Sequence, residues 1–413
     1  MNFSATSLWS PIDGGITTPT GFKASGIKAG LKASSKPDLA LLLAPEGAIC
    51  AGTFTQSLAR AACVDLCIER LTLKSGKVRA VLVNAGQANA CTGQRGLIDS
   101  LSATKALADR LGVSAEEVLI CSTGVIGVPI PLDNLISSLD HLVQELSFTG
   151  GHNAATAILT TDLVEKQIAY EAFIDGRRVR IGGMAKGSGM IHPNMATMLA
   201  YLTCDVGVPA DLWIPMVQRV ARSSFNSITV DGDTSTNDSF LAFAAGPILD
   251  DRYLGALEVG LKLVSESLAK AIARDGEGAN CLLEVKVIGT DNDDNARTIG
   301  RTICSSSLVK TAIHGCDPNW GRIISAAARA GIPFSLKSTS LWIGPYHLIQ
   351  DGEPLAFDQK AVSVFMQERQ KSNYLIDDSI LIVLIVGHGS GEAITWGCDL
   401  SEEYVRINAD YTT

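Results

Sequence analysis

The chain has 413 residues, 46% hydrophobic and 19% charged, with a net charge of −9 and a pI near 5.2. Such a balance describes a globular protein with room for two or three domain-sized units. It argues against nucleic acid or an anionic membrane as the main partner.

The amino terminus, MNFSATSLWSPIDGG, lacks a cationic start followed by an apolar core, so no signal peptide is expected. Val78 to Gly86 reads as a buried strand ending in a glycine turn, and Leu97 to Leu111 spaces its apolar residues for a helix. Val118 to Gly124 is a second strand, closing on Thr123-Gly124, and Pro131 to Leu146 a helix with proline at its start. RRVRIGGMAKGSGM leaves a strand for a glycine-rich loop. Asp211 to Ile228 is helical, and Leu254 to Gly276 is the longest helical pattern, ended by glycine. LLEVKVIG, LWIGPYHLI and ILIVLIVG read as single strands, the last of them buried and too short to span a bilayer. Strands and helices intermixed with glycine turns indicate an α/β (mixed α+β) fold of layers around large sheets. No linker-like composition marks a boundary. Ten scattered cysteines, with only Cys63 and Cys67 close together, fit reduced thiols in a cytoplasmic protein. The six histidines make no metal-binding spacing with them, so no metal is expected.

Chemistry concentrates in few places. The order of KGSGM is wrong for a P-loop, and GHGSGE fails the GxSxG frame because His388 stands two before Ser390. The run from Lys186 to Thr197 differs: glycines and Pro193 lead into Ala196 and Thr197 just before an apolar stretch. A threonine hydroxyl there could attack the preceding carbonyl, and the new terminal amine would be a suitable base for that hydroxyl. Thr123 and Gly124 could aim a hydroxyl and a backbone N–H at one point, as an oxyanion hole requires. DGDTSTNDS (Asp231 to Ser239) could hold a cation, although Asx and Ser/Thr turns produce such runs routinely. Glu277 follows a long helix, where an acid is expected to be solvated. HGCDPNWGR suggests a buried Trp320 beside a structural Arg322.

Seven stretches in order, namely NAGQANACTG, CSTGVIG, KGSGMIHPNMATMLAYLTCD, TVDGDTSTNDS, RDGEGAN, LVKTAIHGCDPNWGR and WGCDLSEEYVRINADYTT, resemble the ornithine acetyltransferase (glutamate N-acetyltransferase) family of arginine biosynthesis. The likeness covers essentially the whole chain. It implies cleavage between Ala196 and Thr197 into an α chain, 1–196, and a β chain, 197–413, which fold together and pair as a heterotetramer of two α and two β. It implies Thr197 as nucleophile, Thr123 and Gly124 as oxyanion donors, and substrate binding by Thr160, Lys186, Thr197, Glu277, Asn408 and Thr413. The implied fold is a layered α-β-β-α sandwich with a second, smaller α/β unit. The implied reaction carries acetyl from N2-acetylornithine to L-glutamate by a ping-pong acetyl-Thr197 route. It needs no cofactor, although some members also take acetyl-CoA as co-substrate. By charge, Lys186 suits a substrate carboxylate and Glu277 an ammonium. GCD where GKD is commoner, and Asn280 where threonine is usual, touch none of these positions.

Two rivals remain: a self-processing aminopeptidase or amidohydrolase that hands the acyl group to water, and a binding protein that never cuts itself. On a denaturing gel the cleaved protein gives fragments of 196 and 217 residues, the larger beginning Thr-Met-Leu; a binder stays at 43.5 kDa. Thr197→Ala is expected to remain one inactive chain, and two bands from that variant would refute the mechanism.

Overall fold

A computed structural model describes residues 8–192 and 198–410. The first strands are β1 (Ser10–Ile12), β2 (Lys23–Ile27), β3 (Leu39–Leu43) and β4 (Ile49–Phe54). Then come α1 (Ala62–Leu73), β5 (Ala80–Gln87), α2 (Gly93–Leu111), β6 (Val118–Val125), α3 (Leu132–Gln144) and α4 (Gly151–Ala157). β7 (Lys166–Ile174), β8 (Arg177–Lys186), β9 (Leu199–Cys204), α5 (Ala210–Ser223), β10 (Ser239–Ala244) and α6 (Leu254–Arg274) complete the first unit. Among the described residues, one sheet runs β1-β7-β8-β9-β10-β4 and a second β2-β3-β5-β6.

Side-chain alternation stacks these sheets. In β5, Ala80 and Leu82 face α1, α2 and α3, whereas Val81 and Val83 face the other sheet. In β9, Ala200 and Leu202 pack under α5 and α6, whereas Leu199 and Tyr201 meet the second sheet. Both faces of both sheets are therefore covered, and the layers run α-β-β-α as the resemblance implied. Burial on both faces also explains why these strands read as continuous apolar runs.

The second, smaller unit begins beyond α6. It comprises β11 (Leu282–Thr290), α7 (Asp293–Cys304), α8 (Ser307–His314), α9 (Trp320–Ala328), β12 (Ser340–Ile343), β13 (Tyr346–Gln350), β14 (Glu353–Pro354), α10 (Gln359–Gln370), β15 (Ser379–Ile385) and β16 (Gly391–Cys398). Its sheet order is β14-β13-β12-β15-β11-β16, and its core is separate from the other three. A last helix, α11 (Glu402–Ala409), returns to the first unit.

Three readings need correction. LWIGPYHLI is a hairpin, β12 and β13, because Gly344 takes a φ of +53° before Pro345 and reverses the chain. The ILIVLIV strand is buried on one face only: Ile380, Ile382 and Leu384 point inward, and Leu381 is exposed. Trp320 is half-buried at the start of α9 beside its Asn319 cap, and Arg322 donates to Leu308 O. All ten cysteines are free, and among the described residues no helix is long and apolar enough to cross a membrane.

His192 ties the two units together. Its Nδ1 lies 3.0 Å from Thr229 Oγ1 and its Nε2 3.0 Å from Arg301 on α7. Burial, and then the Arg301 charge, lower this imidazole to about 4. An unfolded histidine titrates near 6.5, so the neutral ring contributes stability that is present above about pH 6.5 and is lost as pH falls through about 4. Melting temperatures measured from pH 7 to 4 are expected to fall more steeply for the wild type than for His192→Gln. Parallel curves would remove His192 from this role.

Candidate active site

Parallel strands β5 and β6 carry the first pair of site residues to their carboxyl ends. Gly86 and Gly124 stand opposite each other in register, at φ of +135° and +130°. A Cβ on Gly124 would come within 2.3 Å of Gly86 backbone atoms, so the two strands approach closely only as glycines. Ser122 donates to Asn84 Oδ1 at 2.6 Å, and Asn237 Nδ2 donates to Ser122 O and Ala88 O. These buried bonds fix the turn that presents Thr123 and Gly124.

Lys186 ends β8 directly beside that turn. Its ammonium donates to Thr160 Oγ1 at 2.7 Å and to Thr123 Oγ1 at 3.2 Å, and lies 3.8 Å from Asp162. Both hydroxyls accept from the lysine, which leaves their own protons free to face a ligand. Burial lowers the Lys186 pKa, against the raising effect of Asp162. Asp162 is itself buried, and burial alone would raise its pKa; the charges of Lys166 and Lys186 and the N–H of Gly187 overcome this and hold it well below the carboxylate range. Lys166 bridges Asp162 Oδ1 (2.7 Å) to Asp275 Oδ2 (2.6 Å), and both its partners are buried.

Glu277 lies on the far wall. The expectation of a solvated acid fails: its exposure is 8%, and Asn408 Nδ2 on α11 donates to its Oε2 at 2.8 Å. Gly189 passes over this carboxylate so closely that a Cβ there would lie 2.5 Å from it. Burial raises the Asp238 carboxyl well above its usual range, against the N–H of Met198 and the charge of Lys186.

Thr123, Gly124, Thr160, Lys186, Glu277 and Asn408 thus line one cavity of about 260 Å³, together with Gly189, Met190 and residues 235–237. Six expected residues from five separate stretches meet there. Ala196, Thr197 and Thr413 lie outside the described residues. The sequence reading missed Asp162 and Lys166, single letters without a motif, and the roles of Asp275 inside RDGEGAN and of Asn237 inside DGDTSTNDS. That run supplies turn and anchoring contacts, with Asp231 bonded to backbone amides. Among the described residues, no three His, Cys, Asp or Glu gather as metal ligands would.

The chain matches the ArgJ family profile over residues 23–413. An arginine biosynthesis bifunctional protein from Prochlorococcus marinus (strain MIT 9313) is 66% identical, over all of this chain and 97% of its own. A counterpart of the same description from Synechocystis is 52% identical, over 98% and 99% of the two chains. A solved ornithine acetyltransferase from Mycobacterium tuberculosis, in complex with ornithine, is 40% identical over 45% of this chain and 98% of its own, with a TM-score of 0.43.

Gly189→Ala tests the far wall. The added methyl meets the end of a flexible side chain and not backbone, so the fold is expected to survive with about 1 kcal/mol of change. The displaced Glu277 carboxylate should raise KM at least tenfold with little effect on melting temperature. An unchanged KM would show that Glu277 does not contact substrate.

Proposed function

The chain belongs to the ArgJ family and is an acetyltransferase of arginine biosynthesis; on that premise we propose that it moves acetyl from N2-acetylornithine to L-glutamate through an ester on Thr197. The observation carrying this reading is the single cavity in which the Thr123–Gly124 turn, Lys186 and the Glu277–Asn408 pair face one another.

The enzyme first makes its own nucleophile. The Thr197 hydroxyl oxygen bonds to the Ala196 carbonyl carbon, the peptide C–N bond breaks, and the amine takes the hydroxyl proton. Water then opens the ester, giving an α chain ending at Ala196 and a β chain beginning at Thr197. In turnover the free amine takes the Thr197 hydroxyl proton as the oxygen attacks the acetyl carbon. The oxyanion rests on the Thr123 hydroxyl and the Gly124 N–H, each such donor being worth about 3 kcal/mol. Ornithine leaves with the proton on its nitrogen. The glutamate amine attacks the acetyl ester, forming N-acetylglutamate and restoring Thr197.

The hydrogen bonds of Lys186 support a further role for it. Lys186 already donates to Thr123 and Thr160, so it serves chiefly to turn the Thr123 proton toward the oxyanion and only secondarily to meet a substrate carboxylate. By charge Glu277, held by Asn408, receives the ornithine ammonium in this reading, and Thr413 joins the substrate-binding set on the family resemblance alone. A heterotetramer of two α and two β chains in the cytoplasm belongs to the same reading.

A second donor, acetyl-CoA, is favoured by one feature. A cavity of about 830 Å³ shares Gly124 and Thr160 with the first and is lined by Lys32 and Lys36. Burial lowers Lys32 to about 8, while Asp38 opposes the shift. A long anionic donor could lie there with its thioester at the oxyanion turn.

Acetylornithine alone should form acetyl-enzyme that hydrolyses slowly, and glutamate should discharge the ester many times faster, because a bound amine gains an effective molarity of about 10⁵ M or more. Lys186→Met should slow acetyl-enzyme formation itself by about 100-fold. Acetyl-CoA replaces acetylornithine in the same assay to test the second donor. Turnover of acetylornithine that is equally fast without glutamate would replace the transferase with a hydrolase.

A further inference from the structure

Residues 190–192 and 198 flank the span that contains the bond proposed to be cut, and one loop, residues 229–239, holds both flanks. Upstream, Asp231 Oδ2 accepts the Met190 N–H at 2.5 Å and Oδ1 the Ile191 N–H at 2.9 Å. Val230 N–H and Thr229 Oγ1 donate to Ile191 O at 2.7 and 3.2 Å, and Thr234 Oγ1 donates to His192 O at 3.0 Å. Downstream, Ser239 N–H donates to Met198 O at 3.1 Å, where β9 meets β10. Met190 also stands at a φ of +56°. A non-glycine residue there costs about 1–3 kcal/mol and persists only when its surroundings hold it. The two oxygens of Asp231 are what hold it.

We propose that Asp231 is the positioning residue for self-cleavage; this rests on the reading that the chain cuts itself between Ala196 and Thr197. An attack within one peptide unit needs a backbone brought to one conformation. The bond proposed to be cut lies in sequence between these two flanks, and fixing the flanks reduces the conformational cost of reaching any one arrangement between them. Fixing each residue costs roughly 1–2 kcal/mol of conformational entropy, and an anchored entry point supplies part of it in advance. Ser239 fixes the exit through strand pairing; Asp231 fixes the entry. The carboxylate takes no part in the bond exchange written above and lies outside the set of groups assigned to acetyl transfer.

The test follows freshly synthesised full-length chain on a denaturing gel as the 43.5 kDa band converts to two. Asp231→Ala should process at least tenfold more slowly than wild type. Asp231→Asn keeps one acceptor oxygen and should fall between them. Asp233→Ala, in the exposed neighbour, should process normally. Stability is compared in the uncut Thr197→Ala background with and without Asp231→Ala, so that both proteins have the same covalent form. Slower processing with similar melting temperatures supports the positioning role. Equal processing rates, or a slowing matched by a large loss of stability, would overturn it. A wild type that never cuts would instead overturn the cleavage reading, and the proposal with it.

Discussion

Four buried charges hold the site together: Lys186, Asp162, Lys166 and Asp275, in a line that alternates sign. Each belongs to a different piece of chain. Asp162 also accepts the backbone N–H groups of Thr160 and Gly187, and Asp275 accepts that of Leu163 while its carbonyl takes the Ser188 hydroxyl. The turn after α4, the start of β7, the exit of β8 and the end of α6 are thereby fixed relative to one another. Three of those segments, the turn after α4, the exit of β8 and the end of α6, bring in Thr160, Lys186, Gly189 and Glu277. Burying ions costs several kcal/mol apiece, which paired neighbours offset without much surplus, whereas removing one partner costs about 3–5 kcal/mol. The cluster is therefore better understood as a device for precise placement than as a source of net stability.

The Thr123–Gly124 turn depends on a different constraint, close backbone approach. Gly86 and Gly124 sit side by side in parallel strands, both at positive φ, and a methyl on Gly124 would strike the Gly86 backbone. Parallel pairing requires the crossover helix α2, whose placement beside α1 and α3 forms the outermost layer. The helical layer and the Thr123–Gly124 turn thus follow from one piece of topology. Asn237 then links this turn to the loop that grips residues 190–192, so the candidate site and the flank of the bond proposed to be cut share a support.

Sequence made the strands of the inner layers legible because burial on both faces leaves uninterrupted apolar runs, and helices such as α6 legible through periodicity and a terminal glycine. The hairpin at Gly344-Pro345 was hidden because its apolar residues continue across a two-residue turn. Glu277 was misread locally: the carboxyl end of a helix disfavours an acid in isolation, but Asn408, 131 residues later, supplies its partner. Thr123, Gly124, Thr160, Lys186 and Asn408 were placed by resemblance in motif order. Spacing alone would not have gathered them. Asp162 had no signal at all, and Asp231 was noted only as part of a run that could hold a cation, since their partners are backbone amides and lysines brought near only by folding.

Sheet order also bears on how the chain would stay whole if it were cut as proposed. The two strands after residue 197, β9 and β10, lie in the middle of the six-stranded sheet, between β8 on one side and β4 on the other. Both of those neighbours precede residue 197. A break between β8 and β9 would therefore leave the second fragment hydrogen-bonded to the first along both edges, with α5 and α6 closing one face and the four-stranded sheet the other. Separation would require unpairing two central strands and exposing two apolar cores together. Cleavage at the proposed bond would free an amine while leaving these paired strands in place. A new chain end could then appear inside a folded protein because the proposed cut falls between two strands and within neither of them.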